Sequence, residues 1–203
     1  MRRLRTAAPF PLAVLVWSAW QARRHDISSA EERVFRAFNE ASNVLAPFVW
    51  PVMQMGSLAA VYVTATGRYR RAGRDEAVAV AVVGTMVWGG VKLIKPFVGR
   101  GRPSDHLERV HVRGHAQTGL GYPSGHAAVS LTLALAASAT TAERRLALLG
   151  AAVTGASRMY VGAHLPLDIV GGAAVGWLVG TAATCGAGCC GSRRSPNGVP
   201  RVE

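Results

Sequence analysis

Three short stretches of the chain hold residue types that can handle a phosphoryl group: Lys95-Pro-Phe-Val-Gly-Arg-Gly-Arg102-Pro103, Pro123-Ser124-Gly125-His126, and Ser157-Arg158 followed by His164 and Asp168. A phosphate ester carries charge that must be held and then redistributed as phosphorus is attacked, so positioning and electrostatics dominate its chemistry. Lys95, Arg102 and Arg158 supply three cations, the arginines as planar paired donors and the lysine as a compact point charge. His126 and His164 supply groups that change protonation near neutral pH and are nucleophilic when neutral. Asp168 follows His164 by four residues, one helical turn, and can hold the far ring nitrogen as a proton donor so that the near one keeps its lone pair. Ser124 stands where an N-cap belongs, Gly125 lets the backbone come close to a ligand, and the helix start behind them suits an anion. Taken singly, each residue has an ordinary structural reading: a snorkelling arginine, a loop-to-helix signal, a satisfied histidine. Their combined spacing outweighs those readings.

The elements that must position these residues are apolar. Half of the 203 residues are hydrophobic and 17% are charged, and the charges cluster between apolar runs. A span needs about 20 mostly apolar residues, and six segments approach that: Ala7 to Ala22, Val44 to Thr66, Ala77 to Ile94, His126 to Thr141, Leu146 to Val161, and Leu167 to Gly186. The first is short, with Pro9 and Pro11 behind MRRLR, and reads as a span or as a signal peptide. The net charge of +12 would fit a nucleic-acid binder if it lay on one surface, but the arginines border apolar runs, where they meet anionic lipid and set orientation. MRRLR, the stretch 67–75, AERR at 142–145 and the tail share one side when six spans are threaded, which the positive-inside rule makes the cytoplasm. The 23–43, 95–125 and 162–166 connections are left for the outer face. The first of these also carries arginines, and its ERVFRAFNEA stretch reads as an amphipathic helix at the interface, with Val34, Phe35 and Phe38 on one side. Gly172, Gly176 and Gly180 recur every four residues, and the same step backward reaches Asp168 and His164, so the small face and the ionisable face point inward together. Cys185, Cys189 and Cys190 read as small packing residues, with lipidation a weaker alternative for the last two.

Written as spacings, the three blocks are Lys-x6-Arg-Pro, Pro-Ser-Gly-His and Ser-Arg-x5-His-x3-Asp. In this form the chain resembles the type 2 phosphatidic acid phosphatase family, the lipid phosphate phosphatases that share a core with vanadium haloperoxidases. The resemblance implies an all-α integral membrane bundle of six transmembrane helices with its active site at the outer, extracytoplasmic face. It implies one membrane domain over 1–203, in which 1–22 is a first span or signal anchor, 23–43 an interfacial segment, 44–186 the phosphatase core and 187–203 a cytoplasmic tail. By the same resemblance His164 is the nucleophile that becomes a phosphohistidine, His126 protonates the departing oxygen, Asp168 orients His164, and Lys95, Arg102, Ser124, Gly125 and Arg158 bind phosphate. Lys92 lies one turn before Lys95 and competes with it by reach, though only Lys95 has the family spacing. Ser157 reads as a packing or hydrogen-bonding neighbour of the site.

The implied activity is hydrolysis of a lipid phosphate or diphosphate in the cytoplasmic membrane, with no cofactor and no metal, since no acidic cluster suited to magnesium stands in the sequence. The partners are lipid phosphate substrate and membrane lipids, not nucleic acid; the oligomeric state is left open. The Ala/Val/Arg-rich composition of a small chain reads as bacterial, which favours a polyprenyl diphosphate carrier such as undecaprenyl or decaprenyl diphosphate. The alternatives are a phosphatidic acid or phosphatidylglycerophosphate phosphatase, a phosphotransferase, and, in another class, a non-catalytic anionic-lipid transporter. A transporter has no evident need for a nucleophile paired with a general acid. The loop 104–122, with His106, His111, His115, Arg109 and Arg113, matches no family block and reads as a lid or headgroup contact.

Overall fold

The computed structural model describes residues 9–191, with side chains through 184, and these residues are helical with no strand among them. MRRLR, the tail beyond 191 and the cysteine readings lie outside what is described. The helices are α1 (Pro9–Ala22), α2 (Ser29–Asn39), α3 (Ala46–Met53), α4 (Leu58–Ala72), α5 (Arg74–Val98), a single turn α6 (Pro103–His106), α7 (Gly125–Ala136), α8 (Thr141–Tyr160) and α9 (Pro166–Gly191).

Among the described residues, two helices are individually long and apolar enough to cross a membrane: one begins at Arg74 and the other runs Pro166–Thr184. The expected span from Val44 to Thr66 is not one straight helix. The Asn43–Gly56 part meets α4 at 69°, across a short 3-10 turn, Gln54–Gly56, and an extended Ser57 whose hydroxyl caps α4 by accepting from the Ala60 N–H. Serine at that position offers the backbone an N-cap and so starts a new helix, which a hydropathy reading cannot register. The expected fourth span also stops early. α7 ends at Ala136, and α8 begins at Thr141, capped by the Thr140 hydroxyl.

α7 is the centre of the bundle. Among its twelve residues, Ala127 through Ser130 and Thr132 through Leu135 are buried. α9 lies against it along the glycine stripe: a Cβ at Gly172 would collide with the Ser124 carbonyl oxygen, one at Gly176 would sit 2.5 Å from the Ala128 oxygen, and one at Gly180 would sit 2.8 Å from Leu135 Cβ. The close approach expected of these glycines is therefore internal packing against α7. On the other side of α7, Val61 of α4 and Val80, Val87 and Val91 of α5 join Ala128, Val129 and Leu133 in one apolar cluster.

α2 does not turn a single apolar stripe outward. Glu31, Phe35 and Asn39, spaced by four, are its buried residues, whereas Val34 and Phe38 are exposed. Phe35 packs with Met159 and Leu165, and the Asn39 amide donates to the main-chain oxygens of Met159 and Tyr160. Arg71, in the last turn of α4, pairs with Glu143 at the start of α8 at 3.2 Å, so two arginine-rich stretches meet at one end. α5 then runs for 25 residues, about 37 Å at 1.5 Å per residue, to the other end, where the three chemistry-bearing blocks converge.

Adding one methyl group separates glycines that admit a neighbour from those that merely occupy a helix. Gly176→Ala should lower stability in detergent by about 1–3 kcal/mol, because backbone rather than a movable side chain blocks the new carbon. Gly90→Ala on α5, where a Cβ meets nothing within 4 Å, should be neutral or stabilising by up to about 1 kcal/mol. Thermal unfolding of the two variants beside the parent checks both signs.

Candidate active site

The turn between α8 and α9 sets the central residue. Gly162, with φ of +75°, takes the left-handed conformation that glycine adopts freely, and the Ala163 and His164 N–H groups both return to the Arg158 carbonyl, at 2.9 and 3.2 Å. Arg158 and His164, six residues apart in sequence, are thereby folded onto each other. Pro166 begins α9, as its fixed φ and missing N–H favour. Asp168 in the first turn accepts from the Leu165 N–H through Oδ2 at 3.0 Å, the return half of a capping box. The same oxygen lies 3.3 Å from His164 Nδ1.

The other ring nitrogen identifies the tautomer. Arg102 Nη1 stands 3.2 Å from His164 Nε2, and a guanidinium has only hydrogens to offer, so Nε2 is the acceptor. Nδ1 then carries the hydrogen and donates to Asp168. This is the arrangement the four-residue spacing of His164 and Asp168 suggests: one nitrogen tied back, the other with a lone pair facing the cations. His164 is 3% exposed, and its imidazole is held well below its ordinary pKa, first by burial and then by the positive charges of Arg102, Arg158 and Lys95.

Those three cations share a feature with no structural explanation. Among the described residues, Lys95, Arg102 and Arg158 form no salt bridge with any carboxylate. Lys95 Nζ donates to the Leu120 and Gly121 carbonyls at 2.7 and 3.0 Å. Arg102 donates to the carbonyls of Ala163, Gly119 and Thr118. Arg158, 4% exposed, has Met53 Sδ 3.0 Å from Nη1 and leaves Nε without a partner. Charge withdrawn from water is ordinarily paired, and a cluster of one buried and two half-buried cations turned toward neutral acceptors is suited to receive an anion.

Pro123 to His126 form the floor. Ser124 stands at the N-cap position of α7, but its hydroxyl does not cap the helix as expected; Oγ is buried without a partner. Its N–H donates to the Asp168 carbonyl at 2.9 Å, joining the start of α7 to the start of α9. Gly125 has only Val91 Cγ2, at 3.4 Å, near its would-be Cβ, so packing alone does not require glycine there. His126, Arg102 and Arg158 line one cavity of about 210 Å³, together with Met53, Gln54, Trp50 and the loop residues His115 and Gln117.

The remaining sequence candidates fall elsewhere. Lys92 is exposed and lies over the Trp88 ring at 3.3 Å, a cation–π contact at the bundle surface, which leaves Lys95 alone at the site. Ser157 donates to the Thr154 carbonyl within its own helix at 2.6 Å. In the 104–122 loop, His106 stacks with His25 and His115 reaches the cavity. Arg113 fastens the loop: it donates to the carbonyls of Asn39, Ala41 and Tyr160 and to the Asn43 side chain, over the Tyr160 ring. Sequence reasoning missed Arg100. Fully buried, it pairs bidentately with Glu31 at 2.7 and 2.9 Å and reaches Asp168 Oδ1 at 3.4 Å. No local signal marked it, since Glu31 lies far upstream in α2.

The family model described as the PAP2 superfamily matches residues 76–188, more than half of the chain, and the chain belongs to that superfamily. It is 36% identical over 95 residues to a lipid A 4'-phosphatase of Bacteroides thetaiotaomicron, a match covering 43% of this chain and 42% of that protein. The chain thus aligns with less than half the length of that curated relative. In three dimensions it is similar to LpxE of Aquifex aeolicus, with a TM-score of 0.70 at 22% identity over 79% of this chain and 98% of the other. It is also similar to a transmembrane PAP2-type phosphatidylglycerolphosphate phosphatase of Bacillus subtilis, with a TM-score of 0.73 at 19% identity over 91% and 98%. At these identities the two structures establish the fold.

The His164 environment has a measurable sign. Burial and the cations keep the folded imidazole neutral, so below about pH 6.5 the unfolded chain takes a proton that the folded one does not. His164 should therefore cost stability progressively as pH falls from 7 toward 5. Unfolding at several pH values should show a shallower acid loss for His164→Gln, and ¹⁵N NMR of the parent should show a neutral Nδ1–H imidazole through that range.

Proposed function

We propose that this protein is a membrane lipid phosphatase in which His164 attacks phosphorus and a phosphohistidine forms and is hydrolysed. The observation that carries the reading is the gathering, around an imidazole whose outward nitrogen bears a lone pair, of three cations without carboxylate partners, Arg158 buried and Lys95 and Arg102 half-buried. Arg102, Lys95 and Arg158 exchange their neutral acceptors for the phosphoryl oxygens, with Ser124 Oγ and the Gly125 backbone completing the cradle. As Arg102 turns from Nε2 to the phosphate, the lone pair is freed and forms the N–P bond. The P–O bond to the lipid breaks, and the departing oxygen takes a proton from His126, which acquires that proton as the phosphate anion enters. Asp168 holds Nδ1–H and offsets the positive charge of the phosphorylated ring. A water molecule then gives its proton to His126 and attacks phosphorus, and the P–N bond pair returns to Nε2. The cage stabilises the charge that shifts among the phosphoryl oxygens, and such electrostatic stabilisation contributes most to the catalysis of phosphoryl transfer.

The substrate we propose is a polyprenyl diphosphate. No carboxylate stands among the residues lining the cavity, while Arg102, Arg113, Arg158, His115 and His126 do, and an all-basic lining suits a headgroup with a second phosphate. The named relatives favour a second reading, a phosphate on lipid A or on phosphatidylglycerol. For topology we propose one membrane domain of six spans, counting the bent 43–72 segment as one, with the arginine-rich end at the cytoplasm and the site at the extracytoplasmic face of the cytoplasmic membrane. The positive-inside bias and the Arg71–Glu143 meeting at the opposite end support this sidedness.

Phosphate release from a panel of undecaprenyl diphosphate, lipid A, phosphatidylglycerophosphate and phosphatidic acid tests the proposal, with purified protein in detergent containing a chelator. The diphosphate should be cleaved fastest, and His164→Ala should lose at least about 10³-fold in rate while remaining folded. Equal release by parent and variant would remove His164 from the chemistry. Binding of the lipids without release by either would favour a carrier.

A further inference from the structure

The mechanism above leaves one buried charged group unused. Arg100 is fully buried, Glu31 nearly so, and the pair is connected to Asp168, yet neither touches the cavity. We propose that Glu31 and Arg100 are positioning residues that fix the Asp168 carboxylate, and through it the attacking face of His164; the inference rests on the phosphohistidine reading.

The geometry gives each oxygen of Asp168 a separate task. Oδ2 receives the Leu165 N–H and faces His164 Nδ1, while Oδ1 receives Arg100 Nη1 at 3.4 Å. Without the second anchor the carboxylate could rotate about its own bond and carry Oδ2 off the ring nitrogen. Arg100 alone would hold Asp168 but would also neutralise it, and a neutralised carboxylate offers little to a ring that becomes positive. Glu31 resolves the conflict. It takes the two shorter bonds of the guanidinium, 2.7 and 2.9 Å, leaving Asp168 the longer one. Two carboxylates share one cation, so the trio keeps one net negative charge behind the His164 ring.

Glu31 also accepts the Leu167 N–H through Oε1 at 3.0 Å, one of the unpaired donors in the first turn of α9. α2 is thereby fastened to the helix that begins beside the nucleophile. Arg100 is fixed from its backbone too, since its carbonyl accepts the Gly121 N–H at 2.8 Å and the Gly121 carbonyl receives Lys95. Glu31 lies outside the 76–188 family segment. The pair therefore makes the α2 segment, which the family core does not include, part of what holds the reacting nitrogen in place.

The test uses Glu31→Gln, nearly isosteric and able to keep the Leu167 contact, and Glu31→Leu combined with Arg100→Met, which removes both charges of the pair together and leaves Asp168 held through Oδ2 alone. On whichever panel lipid the parent cleaves, kcat per folded molecule should fall by about 10- to 100-fold, as expected for small misplacement of a reacting group. KM should stay within about twofold, because the phosphate cage is untouched. The His164 Nδ1–H resonance should move, since its acceptor is displaced. A purely structural role would lower the unfolding temperature but leave kcat per folded molecule and that resonance at parental values, and this result in either folded variant would overturn the proposal. If the parent cleaves no lipid, the phosphatase reading fails separately, and the Nδ1–H resonance alone decides: unmoved, it overturns the positioning role.

Discussion

Three cations drawn together without a carboxylate partner, Arg158 buried and Lys95 and Arg102 half-buried, form the constraint on which the site depends. Lys95, Arg102 and Arg158 converge where α5, α7, α8 and α9 come together, and each is directed at carbonyl oxygens or sulfur instead of an anion. Such an arrangement raises the free energy of the folded chain, since desolvated charge recovers little from neutral dipoles. Burial first, and then the same positive field, keeps His164 unprotonated, so the cations that attract an anion also help to preserve a nucleophilic nitrogen. The carboxylates nearby sit behind the imidazole: Asp168 and Glu31 face Arg100 and the α9 terminus, away from the cavity.

Holding that cluster together requires a framework tighter than lipid solvation provides. Between α7 and α9 the framework is backbone against glycine, and the contact runs from Gly172 at the Ser124 carbonyl down to Gly180 at Leu135. Because lipid tails are as apolar as leucine, close van der Waals approach and hydrogen bonds, not exclusion from water, must hold these helices. The hydrogen bond from the Ser124 N–H to the Asp168 carbonyl ends the same seam at the site. Packing and chemistry are therefore joined at one helix pair: a displacement of α9 against α7 moves Asp168 relative to His126.

Much of this was legible from the chain, and the misses have identifiable causes. The glycine period and the start of α9 at Pro166 followed from local rules, and the gathering of Lys95, Arg102, His126, Arg158, His164 and Asp168 at one end followed from threading the apolar spans and from the family spacing. The bend at Ser57 did not, because a hydropathy window averages over a capping serine. Reading Ser124 as a hydrogen-bonding cap also failed, since position fixes which residue precedes a helix but not where its hydroxyl points. Lys92 and Lys95 could not be separated by reach alone; the ring of Trp88 and the carbonyls of Leu120 and Gly121 separate them. α2 has an apolar stripe in sequence, but the face it buries contains Glu31 and Asn39, because those two polar side chains find partners and an exposed valine does not need one.

The sequence by itself determined what short-range physics governs: which segments become helices, where a left-handed glycine turns the chain back at Gly162, and that His164 and Asp168 fall one turn apart. Only the tertiary structure decided which charges are paired. Arg100 and Arg102 are two residues apart in the same glycine-containing stretch and are indistinguishable by type. One meets Glu31, 69 positions upstream, and becomes buried structure, while the other meets no carboxylate and faces the cavity. Pairing depends on the direction of a long side chain and on the arrival of a distant partner, and neither is encoded within the few residues that set the local backbone.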